Sequence, residues 1–277
     1  MKADGNSGDL IGKLTLIIKE KIIMKNNLKI SLIALSTLLT ACGGGSGNSV
    51  PNTTLPNTAE VNKAVVSELN EIDILKNNNI EISLDDFNNS IEEDDIVKII
   101  KSEGNNEVNL ILAGKQADLS YGNFGYIEIK DKETGVTSYE TFSSFVPGEY
   151  IFPDKNITFK GNAYASLSGL DNNKLVSGSA ELNVNPDMEK EELNVKFDNW
   201  YNLSVKIEGE DGRATASLSK GDNFKDNGYT FDNDNISNPL LEVIYKGASS
   251  SSINEAIGNF EISDDNKMLK GSFGVKK

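Results

Sequence analysis

The 277-residue chain contains no histidine, one cysteine, one arginine and one tryptophan. Without histidine, the usual zinc sites, the Ser-His-Asp and Cys-His nucleophile systems and proximal-histidine haem ligation are all excluded. The lone Cys42 closes no internal disulfide, so the compartment has to be read from the leader. The lone Arg213 argues against sites built from arginine forks around phosphate. Basic charge is also short: the net charge is −15. Removing residues 1–41 takes away six lysines and three acids, which leaves the remainder near −18. Such a surface repels nucleic acid and anionic membrane faces and attracts a basic protein partner. What the chain does have is 38% hydrophobic residues against 25% charged, enough for a folded core.

The apolar run Ile30 to Leu39 is too short for a spanning helix, which needs roughly 20 apolar residues. It has the length of a signal-peptide core, with Lys25 and Lys29 before it and Leu39-Thr40-Ala41-Cys42 after it. Residues 1–41 read as a leader whose signal peptide is 24–41. Residues 1–23 read as an upstream extension, because Met24 alone places charge directly before the apolar core. Gly43 after the cysteine is compatible with sorting to an outer membrane. Residues 42–58 contain almost nothing to bury and read as a flexible tether, reaching some 20 Å at about 5–6 Å × √n.

Residues 59–150 read as a small α+β domain. Val61, Val65 and Leu69 recur at helical spacing, and a helix is expected near 59–70. Ser90-Ile91-Glu92-Glu93 reads as a capping box, giving a second helix that buries Ile96, Val97, Ile99 and Ile100 and ends at Gly104. Strands are expected at Val108–Ala113, Phe124–Lys130 and Ser138–Val146.

Residues 151–277 hold eight strand candidates: Ile157–Leu167, Leu175–Val184, Glu192–Asn199, Leu203–Glu208, Arg213–Ser219, Leu240–Ala248, Ala256–Ile262 and Met268–Val275. The expected fold is mainly β: an eight-stranded antiparallel up-and-down β-barrel preceded by the α+β domain. The interior of such a barrel is just filled by side chains or holds one small ligand. Residues 220–239 form the longest connection, and they carry Phe224, Tyr229 and Phe231 among acids and amides. Long loops in compact domains are often functional, and aromatics in a polar rim suit an interface; the open alternative is that Tyr229 and Phe231 belong to an additional short strand and pack inward. Trp200 and Tyr201 sit at a hairpin tip, where a rim-core role and an exposed binding role stay equally open. Asp222, Asp226, Asp232 and Asp234 lack the EF-hand order, so a solvated loop is favoured over a calcium site.

Several motifs combine into a resemblance. Leu39-Thr40-Ala41-Cys42 resembles the lipobox of bacterial lipoproteins. Phe159-Lys160-Gly161-Asn162-Ala163, Gly178-Ser179-Ala180-Glu181-Leu182, Tyr245-Lys246-Gly247, Asn254-Glu255-Ala256-Ile257-Gly258-Asn259-Phe260 and Gly271-Ser272-Phe273-Gly274-Val275-Lys276-Lys277 resemble successive barrel strands of the transferrin-binding protein B family, which includes factor H-binding protein. Tyr121-Gly122-Asn123-Phe124-Gly125 resembles a segment of the smaller "handle" domain of that family. The acidic-aromatic ending of the family's second strand is replaced here by Asn185-Pro186-Asp187.

The resemblance implies diacylation and acylation at Cys42, a handle at 59–150, a barrel at 151–277 and a place on the Gram-negative cell surface. It also implies a dedicated outer-membrane translocator. It transfers no ligand. The expected function is non-enzymatic binding of a host protein, for iron or haem acquisition or for immune evasion, through Phe224, Tyr229, Phe231, Trp200 and Tyr201. No cofactor is expected. The alternative is a barrel that binds haem or another small ligand. An enzyme built on paired carboxylates is disfavoured, because the acids fall in turns and no spacing singles out a pair.

Overall fold

The computed structural model describes residues 55–277 apart from 149–150, 170–172, 209–212, 226–229, 248–251 and 265. The leader, Cys42 and most of the tether lie outside the described residues, as does Tyr229. The described residues fall in one compact unit, Thr53–Lys277, which contains two antiparallel sheets.

The first sheet has the order β1-β2-β3-β4-β5 and is covered by three short helices, α1 (Thr58–Leu69), α2 (Asp73–Asn77) and α3 (Leu84–Asn88). α1 begins at a capping box: Asn57 accepts from the Glu60 N–H at 3.0 Å, and Glu60 accepts from the Asn57 N–H at 3.2 Å. Val65 and Leu69, one helical turn apart, are buried against the sheet. The strands are β1 (Ile91–Glu93), β2 (Ile96–Glu103), β3 (Asn106–Leu112), β4 (Gly122–Asp131) and β5 (Thr137–Phe145).

The stretch from Ile91 to Glu103 is thus a hairpin and not the expected helix. Asp94 and Asp95 have φ of 51° and 61°, between the paired residues Glu93 and Ile96. Two successive left-handed residues form the turn that matches strand twist, and Asp is among the few side chains that tolerate that region. The β-branched Ile91, Ile96, Val97, Ile99 and Ile100 favour the same outcome. Val97 and Ile99 pack under the helices at period two, and Ile100 is left exposed.

The second sheet has the order β10-β9-β8-β7-β6-β13-β12-β11. Its strands are β6 (Ile157–Ser168), β7 (Lys174–Asn185), β8 (Lys190–Phe197), β9 (Tyr201–Glu208), β10 (Arg213–Lys220), β11 (Ser237–Gly247), β12 (Ile253–Ser263) and β13 (Met268–Lys276). All eight expected strands are present, with ends shifted by at most three residues. The last strand, β13, pairs with the first, β6, which leaves β10 and β11 as the two edges. These edges come within 8 Å between Cα atoms, yet no ladder joins them. The sheet is therefore curled like a barrel, with one unpaired seam.

Its concave face is filled with side chains. Phe159, Leu182, Leu193, Val195, Val205, Phe260 and Phe273 are all buried there in one cluster. Each such side chain contributes about 1.5–3 kcal/mol on burial. Across this interior the Tyr245 hydroxyl donates to Glu191, linking β11 to β8. Burial pushes the Glu191 carboxyl above its ordinary range, against the opposing pull of the Tyr245 bond.

The first sheet packs on the outer face of β6, β12 and β13. Phe124 and Tyr164 meet there, with ring centroids 6.0 Å apart, beside the buried Ile257. A Cβ at Gly274 would lie 2.4 Å from Phe124, so only glycine permits this approach. The buried Glu255 accepts from the Ser120 and Tyr121 N–H groups at 2.8 and 3.1 Å, and Ser272 donates to the Gly125 carbonyl at 3.0 Å.

Candidate functional site

One end of the curled sheet carries the β8–β9 turn, the 221–236 connection and the β12–β13 turn. Together they form the rim that bears the aromatic candidates. At the β8–β9 turn, Asn199 has φ of 56°, and this bend delivers Trp200 and Tyr201 onto the core side. Trp200 is 1% exposed and Tyr201 6%; Tyr201 continues the inward alternation of Leu203 and Val205.

The long connection is pinned to that turn. The Gly221 N–H donates to the Trp200 carbonyl at 3.0 Å, and the Lys225 N–H donates to the Asn199 carbonyl at 3.1 Å. Phe224, half-buried, stands edge-to-face with Tyr201, ring centroids 4.9 Å apart, and the Lys220 ammonium lies 5.0 Å from its ring centre. Phe231, 7% exposed, stands edge-on to Trp200 at 6.1 Å. The Lys267 ammonium lies 5.9 Å over Phe231 and donates to the Thr230 carbonyl.

A short 3-10 turn, Asn233–Asn235, then crosses the seam. Asp232 caps it by accepting from the Asp234 N–H at 3.1 Å. Asn233 reaches the edge of β10: its Oδ1 accepts the Leu218 N–H at 2.8 Å, and its Nδ2 donates to the Leu218 carbonyl. On the other side, Asp264 accepts from the Asn266 and Lys267 N–H groups at 3.1 and 2.9 Å. A cleft of about 170 Å³ lies between Asp232, Asn235, Asp264, Asn266 and Lys267.

The structure therefore brings four of the five aromatic candidates together, but Trp200, Tyr201 and Phe231 face the core and offer a partner no ring area. Of the two readings left open for Trp200, Tyr201 and Phe231, the structure takes the core-facing one, and with Phe224 they form an aromatic wedge that fixes the loop from beneath. What faces outward is polar: Asp198, Asp222, Asn223, Lys225, Thr230, Asp234 and Asn235. Sequence reading missed Asn233 and Lys267. The Asp232-Asn233-Asp234-Asn235 run was the available signal, since Asx residues in series mark local side-chain-to-backbone bonding. Elsewhere, a polar groove of about 410 Å³ lies on the outer face of β6–β10, lined by Lys160, Glu181, Asn194, Lys196, Asn202 and Ser204 among others.

No family model and no curated protein matches the sequence. Ten chains of solved structures match it in fold. Intact Ap-TbpB (N and C lobes) matches with a TM-score of 0.44 at 19% identity, over 67% of this chain and 39% of that one. A mutant of the vaccine antigen transferrin-binding protein B from Haemophilus parasuis Hp5 matches with a TM-score of 0.44 at 16% identity, over 67% and 38%. A surface lipoprotein matches with a TM-score of 0.36 at 13% identity, over 65% of this chain and 80% of that one. The chain spans less than two-fifths of the length of the two transferrin-binding proteins, 39% and 38%.

Proposed function

We propose that this protein is a non-enzymatic binding protein for a host protein, lipid-anchored through Cys42 and displayed on the outer membrane of a Gram-negative cell. The lipobox-like Leu39-Thr40-Ala41-Cys42 and the Gly/Ser/Asn/Pro tether after it support the anchor and the display. A dedicated translocator would carry it across the outer membrane. The observation that carries the binding reading is the filled concave face. Phe159, Leu193, Val205, Phe260 and Phe273 occupy the space where a small-molecule carrier holds its ligand, so recognition is left to the outward surface. The rim of the 221–236 connection is the first surface to test, with Phe224, Phe231, Trp200 and Tyr201 setting the shape of the loop and Tyr229 belonging to it in sequence. Its outward acids suit a basic patch on the partner.

The test is capture from host serum by immobilised protein beginning at residue 53, beside a haem titration followed by absorbance. Specific retention of one serum protein, lost on replacing Asp222, Asn223 and Lys225 together, is the expected result. A saturable haem spectrum with no serum protein retained overturns it. For the anchor, Cys42→Ala abolishes incorporation of a palmitate analogue, and label retained by the variant refutes the assignment.

A further inference from the structure

We propose that the uncovered outer wall of the curled sheet, across β6 to β10, is a binding site for an acidic glycan, a sugar chain bearing carboxylate or sulfate groups. The first sheet covers Tyr164 and Ile257 on the outer face. What remains open is a field whose rows follow from the strand register. One row runs Asn162, Ser179, Lys196, Asn202 and Ser219. The next runs Lys276, Lys160, Glu181, Asn194, Ser204 and Ser217. Alternation sends the residues between them, such as Ala180, Val195 and Leu203, into the core, so both rows point outward.

The charge of this wall opposes that of the molecule. The chain carries −15 overall, yet the outward charges of β6–β10 are Lys160, Lys190, Lys196, Lys206 and Arg213 against Glu181, Glu192 and Glu208. Each of these acids is already engaged: Glu181 with Lys160 at 3.6 Å, Glu192 with Lys190 at 3.2 Å and Glu208 with Lys190 at 3.1 Å. Lys196 is exposed and enters no ion pair among the described residues. Lys160 stands directly opposite Lys276 across β6 and β13, an arrangement that like charges disfavour. Lys276 is turned onto Asp118, whose carboxylate accepts from it at 2.6 Å, while Lys160 keeps 75% of its side chain exposed. The groove of about 410 Å³ on this wall has both Lys160 and Lys196 in its lining. A second cleft, of about 600 Å³, continues past Lys160 to Lys276 and Lys277.

The occupant follows from what the wall has and what it lacks. Neither row contains an aromatic or aliphatic side chain, so there is no ring for a neutral sugar or a nucleic acid base to stack on, and no anchor for a protein hot spot. Attraction must come from charge, and the ligand is an anion. Lys160 and Lys196 are two strands and two residues apart, about 12 Å by strand geometry, so the anion is extended and carries its charges at intervals. Between the lysines the floor offers the hydroxyls and amides of Ser179, Asn194, Asn202 and Ser204. Each of these both donates and accepts, as the hydroxyls of a sugar ring require. A broad anionic surface such as a membrane would also meet the acidic remainder of the molecule. A single chain meets only the charges within a Debye length, about 8 Å. The wall lies apart from the 221–236 rim and stands or falls independently of what the rim binds.

The experiment titrates the compact unit from residue 53 against labelled probes: heparin as a sulfated chain, polygalacturonate as a carboxylated one, dextran as a neutral one, polyglutamate and phosphatidylglycerol vesicles. At least one of heparin and polygalacturonate binds saturably, which identifies the acidic group, and dextran does not bind. Lys160→Gln with Lys196→Gln weakens that binding on the order of ten-fold. Lys63→Gln with Lys130→Gln removes the same charge from exposed sites on α1 and β4 and leaves the affinity unchanged. Asn202→Ala with Ser204→Ala keeps every charge and still weakens the glycan, while leaving polyglutamate unaffected. Failure of both acidic polysaccharides to bind overturns the proposal. So does an equal effect of the two lysine pairs, which would reduce the attraction to net charge, or no effect of Lys160→Gln with Lys196→Gln. Tighter binding of polyglutamate or of the vesicles would give the wall to an acidic protein or to a membrane and equally overturn it.

Discussion

At the scale of single residues, asparagine does work here that backbone does elsewhere. A side-chain amide offers one acceptor and an adjacent donor, so it can pair with both main-chain groups of one residue as a neighbouring strand would. Asn70 does this to Ile82, with both bonds at 2.9 Å, and Asn233 does it to Leu218 at the seam. Asn233→Ala leaves two part-buried main-chain groups without their partner, so the expected loss is about 1–3 kcal/mol in urea denaturation. Unchanged stability would mean that water replaces the amide at no cost. Glu191 makes the second residue-scale case. Its carboxyl is raised by burial, so the folded state holds the proton more tightly than the unfolded chain. The associated stability is fully present below the unfolded value of 4.5 and is lost as pH rises through the higher folded value. Glu191→Gln keeps an acceptor for the Tyr245 hydroxyl and removes the charge. The variant is expected to melt higher than the parent at neutral pH and to show a flatter fall in melting temperature above pH 4.5. Equal slopes for the two proteins would show that Glu191 is not a source of the pH dependence.

At the scale of elements, the strands were legible because alternation survives without knowledge of tertiary structure. Ala180-Glu181-Leu182-Asn183-Val184 shows the inward and outward faces directly, and the structure buries Ala180, Leu182 and Val184. The hairpin at 91–103 was not legible, because Glu92-Glu93-Asp94-Asp95 is equally the chemistry of a helix start and of a left-handed turn. Only pairing with β3, through Val97↔Leu112 and Ile99↔Leu110, decides between them. The orientation of the aromatic candidates stayed open for a related reason. Whether Trp200 and Phe231 face the core depends on the φ of Asn199 and on how the connection crosses the seam, neither of which a one-dimensional pattern contains. The hairpin offers a test at its own scale. Replacing Asp94-Asp95 by Asn-Gly supplies the residues most suited to two left-handed positions, so stability should rise by about 0.5–1 kcal/mol. A fall in the thermal midpoint would show that the acids do something beyond forming the turn. One such role is the attraction of Asp95 for the Lys115 ammonium, which Glu92 also pairs.

At the scale of the molecule, the question is how far the curled sheet depends on the sheet and helices before it. Its own core is self-contained: Phe159, Leu182, Leu193, Val205, Phe260 and Phe273 pack among β6–β13 alone. Its outer face is not. Tyr164 and Ile257 are buried only because Phe124, Ala113 and Ala117 cover them. Glu255 is buried while accepting from Ser120 and Tyr121, and Lys246 is buried beneath the Phe145 ring at 5.1 Å. Desolvation raises the Glu255 carboxyl and lowers the Lys246 ammonium, so both groups are held at some cost in the intact unit. A fragment of residues 151–277 should therefore fold with an all-β far-ultraviolet spectrum, because its interior closes without help. Re-exposing Tyr164 and Ile257 removes two large burials, so it should be less stable than the unit from residue 53 by roughly 3 kcal/mol or more. It should also bind a hydrophobic dye on the face centred on those residues. Relief of the buried Glu255 and Lys246 acts in the opposite direction and makes that loss smaller than the apolar area alone implies. If the fragment melts at the temperature of the whole unit, the outer contacts are stabilising only for the first sheet. If it shows no cooperative melt, the eight strands need the first sheet to hold β6, β12 and β13 in register, and the second sheet is not an independent domain.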